Sequence, residues 1–162
     1  MQTFVLSFQL YGAKKRDFVL TLLSLKTRKR MATTKVYKIE LQCSHKEWWR
    51  YNVELQCGAL DAEGERVGFT ATRQIIAEVG ANLPVAPEKS SYKRKLSLSS
   101  APCQQARFLL YIIPHSLPTE SRMEEVPPFD ITIRTMADGA ELATEKRKVN
   151  PWSGTSIELT LK

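Results

Sequence analysis

The chain is poor in the residues that metal sites and nucleophilic centres use. Its 162 residues include only two histidines and three cysteines, and they form neither a C-x-x-C nor an H-x-x-x-H pair. Cys43 and His45 are close in sequence, but residues i and i+2 of a strand lie about 6–7 Å apart, beyond hydrogen-bonding reach. We expect no metal site and no catalytic residues, and a cysteine-dependent hydrolase at Cys43 and His45 is the third-ranked hypothesis.

Glycine and aspartate are also scarce. The seven glycines form neither G-x-G-x-x-G nor G-x-x-x-x-G-K-[ST], the loops that cradle phosphate groups. The four aspartates, at positions 17, 61, 130 and 138, are too scattered to supply the clustered loop carboxylates of a calcium-binding sandwich. We therefore expect no cofactor.

Long apolar runs are absent. No segment approaches the ~20 consecutive apolar residues that cross a bilayer, so we expect no membrane span. A secretory signal is not indicated, because the basic run 26–30 follows the apolar stretch Phe18–Leu25, where small neutral residues belong. The odd number of cysteines favours a reducing compartment, and we expect a cytoplasmic location.

The net charge of +7 is concentrated at the N-terminus. Of the 24 basic residues, seven lie in residues 1–30 and 17 follow them; of the 17 acidic residues, one lies in residues 1–30 and 16 follow. Met31 is followed by a small residue and then by a clean strand pattern. We interpret residues 1–30 as a basic N-terminal extension upstream of the true start at Met31, and residues 31–162 as a single domain.

Alternation of apolar and polar residues dominates the part of the chain after Met31. The alternation is clearest in residues 36–43, 49–60, 129–135 and 156–161, and a period of two is typical of half-buried strands. Gly64 lies in a short hairpin loop, and Asp138-Gly139 is a strong signal for a two-residue hairpin turn. About seven or eight strands with at most one short helix predict an all-β fold, an antiparallel β-sandwich or jelly-roll-like barrel.

Local patterns add four finer predictions. Thr72–Gly80 has the N-terminal threonine and C-terminal glycine of two helical turns, although a strand fits as well. Phe108–Ile113 is apolar throughout, which predicts a central strand covered on both faces. Residues 129–161 predict a three-strand meander whose middle strand is an edge protected by Lys146–Lys148. Pro114–Pro128 contains four prolines and predicts a long exposed loop.

Aromatic and basic residues supply the candidate binding sites. Residues 48–51 are the densest aromatic stretch, and strand alternation sends Trp49 and Tyr51 to one face and Trp48 and Arg50 to the other. This places Trp48 as the exposed ring and a candidate anchor for a partner. The second candidate is the basic cluster formed by Lys93, Arg94 and Lys95.

These features favour a non-enzymatic protein-interaction or structural module. We expect a protein partner to contact the Pro114–Pro128 loop or the Trp48 region, because prolines limit the entropy lost on docking. The alternative is a nucleic-acid-binding β-barrel that uses the basic cluster, which the balanced charge of the domain disfavours. No oligomeric state is predicted. The predicted binding residues are Trp48, Arg50, Lys93, Arg94, Lys95, His115 and Arg122.

Overall fold

The alternating segments form eight strands in the part of the chain that the structure describes. The structure is a computed structural model that describes residues 33–119 and 122–162, without the side chain of Met123; the predictions for residues 1–30 and for Met31 lie outside these ranges. The strands are β1 (Tyr37–Cys43), β2 (Tyr51–Leu60), β3 (Arg66–Gln74), β4 (Lys95–Ser99), β5 (Gln105–Pro114), β6 (Phe129–Ala137), β7 (Ala140–Val149) and β8 (Thr155–Leu161). Short 3-10 helices span Trp48–Arg50, Lys89–Ser91 and Met123–Glu125.

The strands form two antiparallel sheets of four strands each. The first sheet has the order β4-β1-β6-β7 and the second the order β3-β2-β5-β8. The prediction of an all-β antiparallel sandwich is therefore confirmed, and the described residues contain no α-helix. Within the same residues, no helix has the length and apolar character needed to span a bilayer.

The core lies between the inner faces of the two sheets. Leu41 pairs with Ile133 in the first sheet and Leu55 with Leu110 in the second, and each of these side chains is at most 2% exposed. Burying one such side chain stabilises the fold by roughly 1.5–3 kcal/mol. A slip of one residue would turn each strand's apolar set outward, so burial fixes the register.

The two predicted hairpin turns are present. Asp61 closes the β2–β3 turn, because its carboxylate accepts hydrogen bonds from the backbone N–H groups of Glu63 and Glu65 at 3.0 and 2.9 Å. Asp138 and Gly139 both have positive φ, 49° and 83°, as a type I′ turn requires. The Asp138 side chain also accepts a hydrogen bond from the backbone of Val36 at 2.9 Å.

The predicted three-strand meander is wrong after β7. The strands β6 and β7 pair as predicted, but β8 lies in the other sheet, where Ile157 pairs with Leu110 and Leu159 with Phe108. Pairing with β5 lets the inward-facing apolar side chains of β8 pack on the core. The exposed, charged strand β7 offers no such apolar surface. β7 is consequently an edge strand, as predicted. Its basic residues Lys146–Lys148 oppose pairing of this exposed edge with another strand.

The helical interpretation of Thr72–Gly80 is also wrong. β3 continues to Gln74 because Thr72 and Gln74 extend the ladder with Leu55 and Val53, and tertiary pairing overrides a weak local preference. The expectation that Phe108–Ile113 is covered on both faces fails as well. Its alternate residues are buried, whereas the outer face of β5 is partly open, with Ile113 43% exposed.

Candidate functional site

The aromatic stretch before β2 is a 3-10 turn and not part of a strand. Trp48 is 0% exposed, so the prediction of an exposed Trp48 ring is wrong. Its Nε1 donates a hydrogen bond to the carbonyl of Lys93 at 3.1 Å, and its ring stacks on Tyr51 with centroids 5.8 Å apart. A 3-10 helix has three residues per turn, so strand alternation assigned the side chain to the wrong face.

Arg50 is buried at the end of the same turn. Its Nη1 donates a hydrogen bond to the Leu117 carbonyl at 2.6 Å, its Nη2 lies 3.4 Å from a Glu47 carboxylate oxygen, and its guanidinium lies 4.7 Å from the centroid of the Trp49 ring. Its buried Nε has no hydrogen-bond partner among the described residues. A buried unsatisfied donor costs about 1–3 kcal/mol, and because this atom is buried a ligand does not reach it in this conformation.

His115 is buried, so its prediction as part of an exposed loop is wrong. β5 extends to Pro114, and His115 and Ser116 follow it at 1% and 0% exposure. His115 Nε2 lies 2.8 Å from the Trp49 carbonyl, which can only accept, so Nε2 carries the proton. Its Nδ1 then accepts from the Ser116 hydroxyl at 2.8 Å, and that hydroxyl accepts from the backbone N–H of Leu83 at 2.8 Å.

The His115–Ser116 pair has a structural role. Burial lowers the pKa of His115, which keeps the imidazole neutral near pH 7 and matches the hydrogen bonds at both ring nitrogens. The Ser116 hydroxyl is buried and already bound to Leu83, so a substrate cannot approach it. The pair fastens Leu83 to the end of β5.

Two asparagines hold the rest of this loop. The Asn52 side chain, buried on β2, accepts from the backbone of Ile76 at 2.8 Å and donates to the Ala77 carbonyl at 2.7 Å. Asn82 has φ 46°, and its side chain accepts from the backbone of Leu117 at 3.0 Å. Asparagine tolerates positive φ better than most residues, so residues 76–84 are fixed from both sides.

Two adjoining depressions open on this loop, each about 330 Å³ in volume. Both are lined by Asn82 and Leu117; Val79, Ile113 and Trp152 line the first, and Arg50 lines the second. The Nε1 of Trp152 is a second buried donor without a partner among the described residues. We call Val79, Asn82, Ile113, Leu117 and Trp152 the loop surface. Of these five residues, only Leu117 lies in the Pro114–Pro128 loop, for which the sequence predicted a partner contact; the other four had no predicted binding role.

The basic cluster is exposed and partly engaged within the domain. Arg94 donates to the His45 carbonyl at 2.9 Å, and Lys95 lies 2.8 Å from Glu40. Glu40 also binds Lys38 at 2.8 Å, and these hydrogen bonds lower the pKa of Glu40 to about 2. Lys93 meets Trp48 through its carbonyl.

The predicted binding residues thus fall into separate places. Arg50 and His115 lie together, since the Arg50 carbonyl accepts from the His115 backbone at 2.9 Å. Lys93, Arg94 and Lys95 lie on the segment that covers Trp48 and leads into β4. Arg122 is exposed beside the 3-10 turn Met123–Glu125.

Cys43 and His45 do not form a nucleophile pair. The Cys43 thiol accepts from the backbone N–H of His45 at 3.4 Å, while the His45 ring stacks on Phe129 at 4.2 Å. Burial raises the pKa of Cys43 to about 11, so the thiol is protonated at neutral pH. Cys43 and Cys57 lie on β1 and β2, in different sheets, and all three cysteines are free and buried. Among the described residues, no group of three or more His, Cys, Asp or Glu could hold a metal ion.

The sheets define the class of this protein, an eight-stranded antiparallel β-sandwich. No protein-family model matches the chain, and no curated protein matches it. Among solved structures, the chain is similar to a domain of unknown function, DUF4425, from Bacteroides vulgatus. That likeness has 12% sequence identity and a TM-score of 0.46, over 80% of this chain and 97% of the other.

Proposed function

We propose that the chain is a non-enzymatic protein-interaction module that binds its partner through the loop surface. One observation carries the proposal: a loop fixed by internal hydrogen bonds exposes apolar side chains around a depression. A preorganised surface loses little conformational entropy on binding.

Apolar exposure supports this surface. Val79 is 68% exposed, Leu117 45% and Ile113 43%, and all three line the first depression. Scattered exposed apolar residues are ordinary, but residues grouped around one concave region are typical of interaction sites.

The exposed side chains indicate the chemistry of the partner. Val79, Ile113 and Leu117 offer apolar surface around the first depression, and an apolar side chain of a partner would remove that surface from water. We therefore propose a protein segment that presents an apolar residue to the loop surface.

The remaining features agree with this proposal. The loop surface is mainly apolar, whereas a nucleic-acid groove is expected to be basic with exposed stacking rings. A reducing, cytoplasmic location is proposed with it, supported by three cysteines that are unpaired.

Comparative affinity purification tests the proposal. The tagged full chain is recovered from cells of the native host alongside Leu117→Asp and Val79→Asp, and Val67→Asp is the control. Val67 is 56% exposed on β3 and does not line the loop surface. A charge inserted into an apolar contact without a partner is costly to desolvate, so we expect both loop variants to lose a protein that the wild type and Val67→Asp retain.

The outcomes discriminate the functional classes. Equal recovery of every specific partner by all variants would overturn the placement of the site. Recovery that disappears on nuclease treatment, or that needs Lys93, Arg94 and Lys95 instead, would favour the nucleic-acid alternative. Circular dichroism of each variant shows whether the fold is intact.

A further inference from the structure

A hollow lies on the outer face of the second sheet, around Gly58 near the C-terminal end of β2. A Cβ atom built on Gly58 meets no heavy atom within 4 Å, and the depression has a volume of about 320 Å³. Gly58 is about 20 Å along β2 from Asn52, which supports the loop surface. The hollow is therefore a separate feature.

The backbone does not require glycine at position 58. Its φ lies outside the left-handed region, and a side chain would meet open space. A glycine inside a strand lowers stability and often marks a place that a ligand or another backbone approaches closely. The ladder between β2 and β3 has a bulge directly after it, between Ala59 and Leu60, and bulges are over-represented beside functional sites.

The side chains around the hollow combine apolar surface with positive charge. Phe69 and Arg107 flank Gly58 on the two neighbouring strands, in the same cross-strand row. The side chains that line the depression are Gln56, Leu60, Arg66, Phe69, Arg107 and Leu109, with no carboxylate among them. Phe69 is 56% exposed, which leaves an aromatic surface open to a ligand.

The side chains of Arg107 and Arg66 differ in whether they have a partner within the domain. The Nε of Arg107 lies 3.3 Å from Glu158 on β8, and both side chains are more than half exposed. The backbone of Arg66 pairs with Leu60 in the ladder, but its side chain makes no hydrogen bond or ion pair within residues 33–119 and 122–162. A guanidinium binds a carboxylate through two parallel N–H groups, so Arg66 is free to hold a carboxylate at the rim while Phe69, Leu60 and Leu109 contact an apolar body.

We propose that the Gly58 hollow binds an apolar monocarboxylate, either a free small molecule or the C-terminal residue of a peptide. The volume is near the lower end of the range for small-ligand sites, about 300–1,000 Å³. An open site of this size predicts weak binding, with a Kd on the order of 1 mM for a minimal probe.

Titrations monitored by amide NMR spectra of the full chain test the proposal. The probes are 3-phenylpropionate, its uncharged amide and inorganic phosphate. We expect 3-phenylpropionate to shift the amides of Gly58, Phe69 and Leu109, and the other two probes to bind at least about tenfold more weakly. N-acetyl-Gly-Gly-Phe with a free C-terminus, compared with its C-terminal amide, distinguishes the two sources: tighter binding than 3-phenylpropionate indicates a peptide terminus, and equal binding a free acid.

Three variants locate the site. Gly58→Val places a branched side chain in the hollow, where its Cβ meets no atom within 4 Å, so it should abolish the shifts and keep or raise the thermal midpoint, since β-branched residues favour strands. Arg66→Gln should weaken binding at least about fivefold. Arg73→Gln removes an exposed charge from the same sheet face, next to Glu54 and outside the hollow, and should leave affinity unchanged.

The proposal is overturned if 3-phenylpropionate causes no saturable shift around Gly58. It is also overturned if phosphate binds as well as 3-phenylpropionate, since charge alone would then explain the shifts. Unchanged binding by a folded Gly58→Val variant has the same consequence. None of these results depends on the loop surface.

Discussion

At the scale of single residues, Gly154 shows how strongly one position constrains the chain between the two sheets. Its φ is +71°, and a Cβ placed there collides with the carbonyl oxygen of Ile112 on β5. Its backbone N–H donates to the Asn150 carbonyl at 2.8 Å. Only glycine provides both the left-handed conformation and the close approach to β5.

We therefore predict that Gly154→Ala lowers the free energy of unfolding by roughly 3 kcal/mol, since it combines backbone strain with a clash against main-chain atoms. Gly139→Ala is the matched control: its φ is +83°, but a Cβ there meets nothing within 4 Å, so strain alone costs about 1 kcal/mol. Urea denaturation measures both. Equal losses would show that the contact with Ile112 has no energetic weight.

His115 predicts a pH dependence of stability. Burial lowers its pKa below the ordinary value of 6.5, so the unfolded chain binds the proton more readily. The contribution of neutral His115 to the free energy of unfolding is therefore fully present above pH 6.5, and it is lost as the pH falls below that value. Burial lowers the pKa of His45 as well, and we expect His115→Gln to reduce, but not abolish, the slope of the unfolding free energy between pH 6.5 and 5.

Glu40 acts in a different window. Its pKa falls from 4.5 to about 2 through Lys38 and Lys95, so its contribution is lost only below pH 4.5. Denaturation curves recorded across pH 5–7 thus isolate the histidines. An unchanged slope in the His115→Gln variant would mean that His115 does not titrate with folding.

At the scale of elements, the charged residues of the edge strand β7 oppose its pairing with other molecules. Lys146 and Lys148 lie on its outer face, opposite Thr132 and Asp130 of β6. Arg147 and Glu145 point to the inner side and pair at 2.9 Å. Inward-pointing charges and edge lysines are two devices that oppose pairing between the sheets of different molecules.

We predict that Lys146→Val combined with Lys148→Val promotes association through β7. Light scattering after size exclusion, over a range of concentrations, should show oligomers that the wild type does not form. Thr132→Val on the central strand β6 adds the same β-branched side chain without altering an edge, and it should stay at the wild-type mass. Oligomers in the control, or none in the double variant, would contradict the account of β7.

The sequence predicted strands best where alternation and turn chemistry agree. β1, β2, β6 and the Asp138-Gly139 hairpin were predictable because each pattern is local. The pattern of Thr72–Gly80 was not decisive, since pairing with β2 determines that Thr72–Gln74 is a strand. The place of β8 was unpredictable for a related reason, because a local pattern does not specify which sheet covers its apolar face.

At the scale of the whole molecule, the loop surface joins segments that are far apart in sequence. Its residues come from three parts of the chain that meet at one end of the sandwich, namely residues 79–84, residues 113–118 and Trp152, and Arg50 lies beside them. The proline-rich segment after β5 was a sequence signal for part of this region. Asn82 carries no local signal of its own, since its role arises only when the hydrogen bonds of Ser116 and Asn52 bring the loops together.

The eight strands and the buried apolar core that the structure describes lie between Tyr37 and Leu161. We predict that a chain starting at Met31 keeps the β-rich circular dichroism spectrum and a cooperative thermal transition within a few degrees of the full chain, although it loses an excess of six positive charges. Thermal denaturation of the two chains compares them directly. Loss of cooperativity would show that residues 1–30 contribute to the fold.

The central claim, that the loop surface is the binding site, is tested most directly by site-specific photocrosslinking in cells of the native host. Benzoylphenylalanine replaces Val79 or Leu117 in separate experiments, and Leu142 on β7, 51% exposed, is the control position. We predict that Val79 and Leu117 crosslink to the same protein and that Leu142 does not. Crosslinking of that partner at Leu142, with none at Val79 or Leu117, would contradict the account.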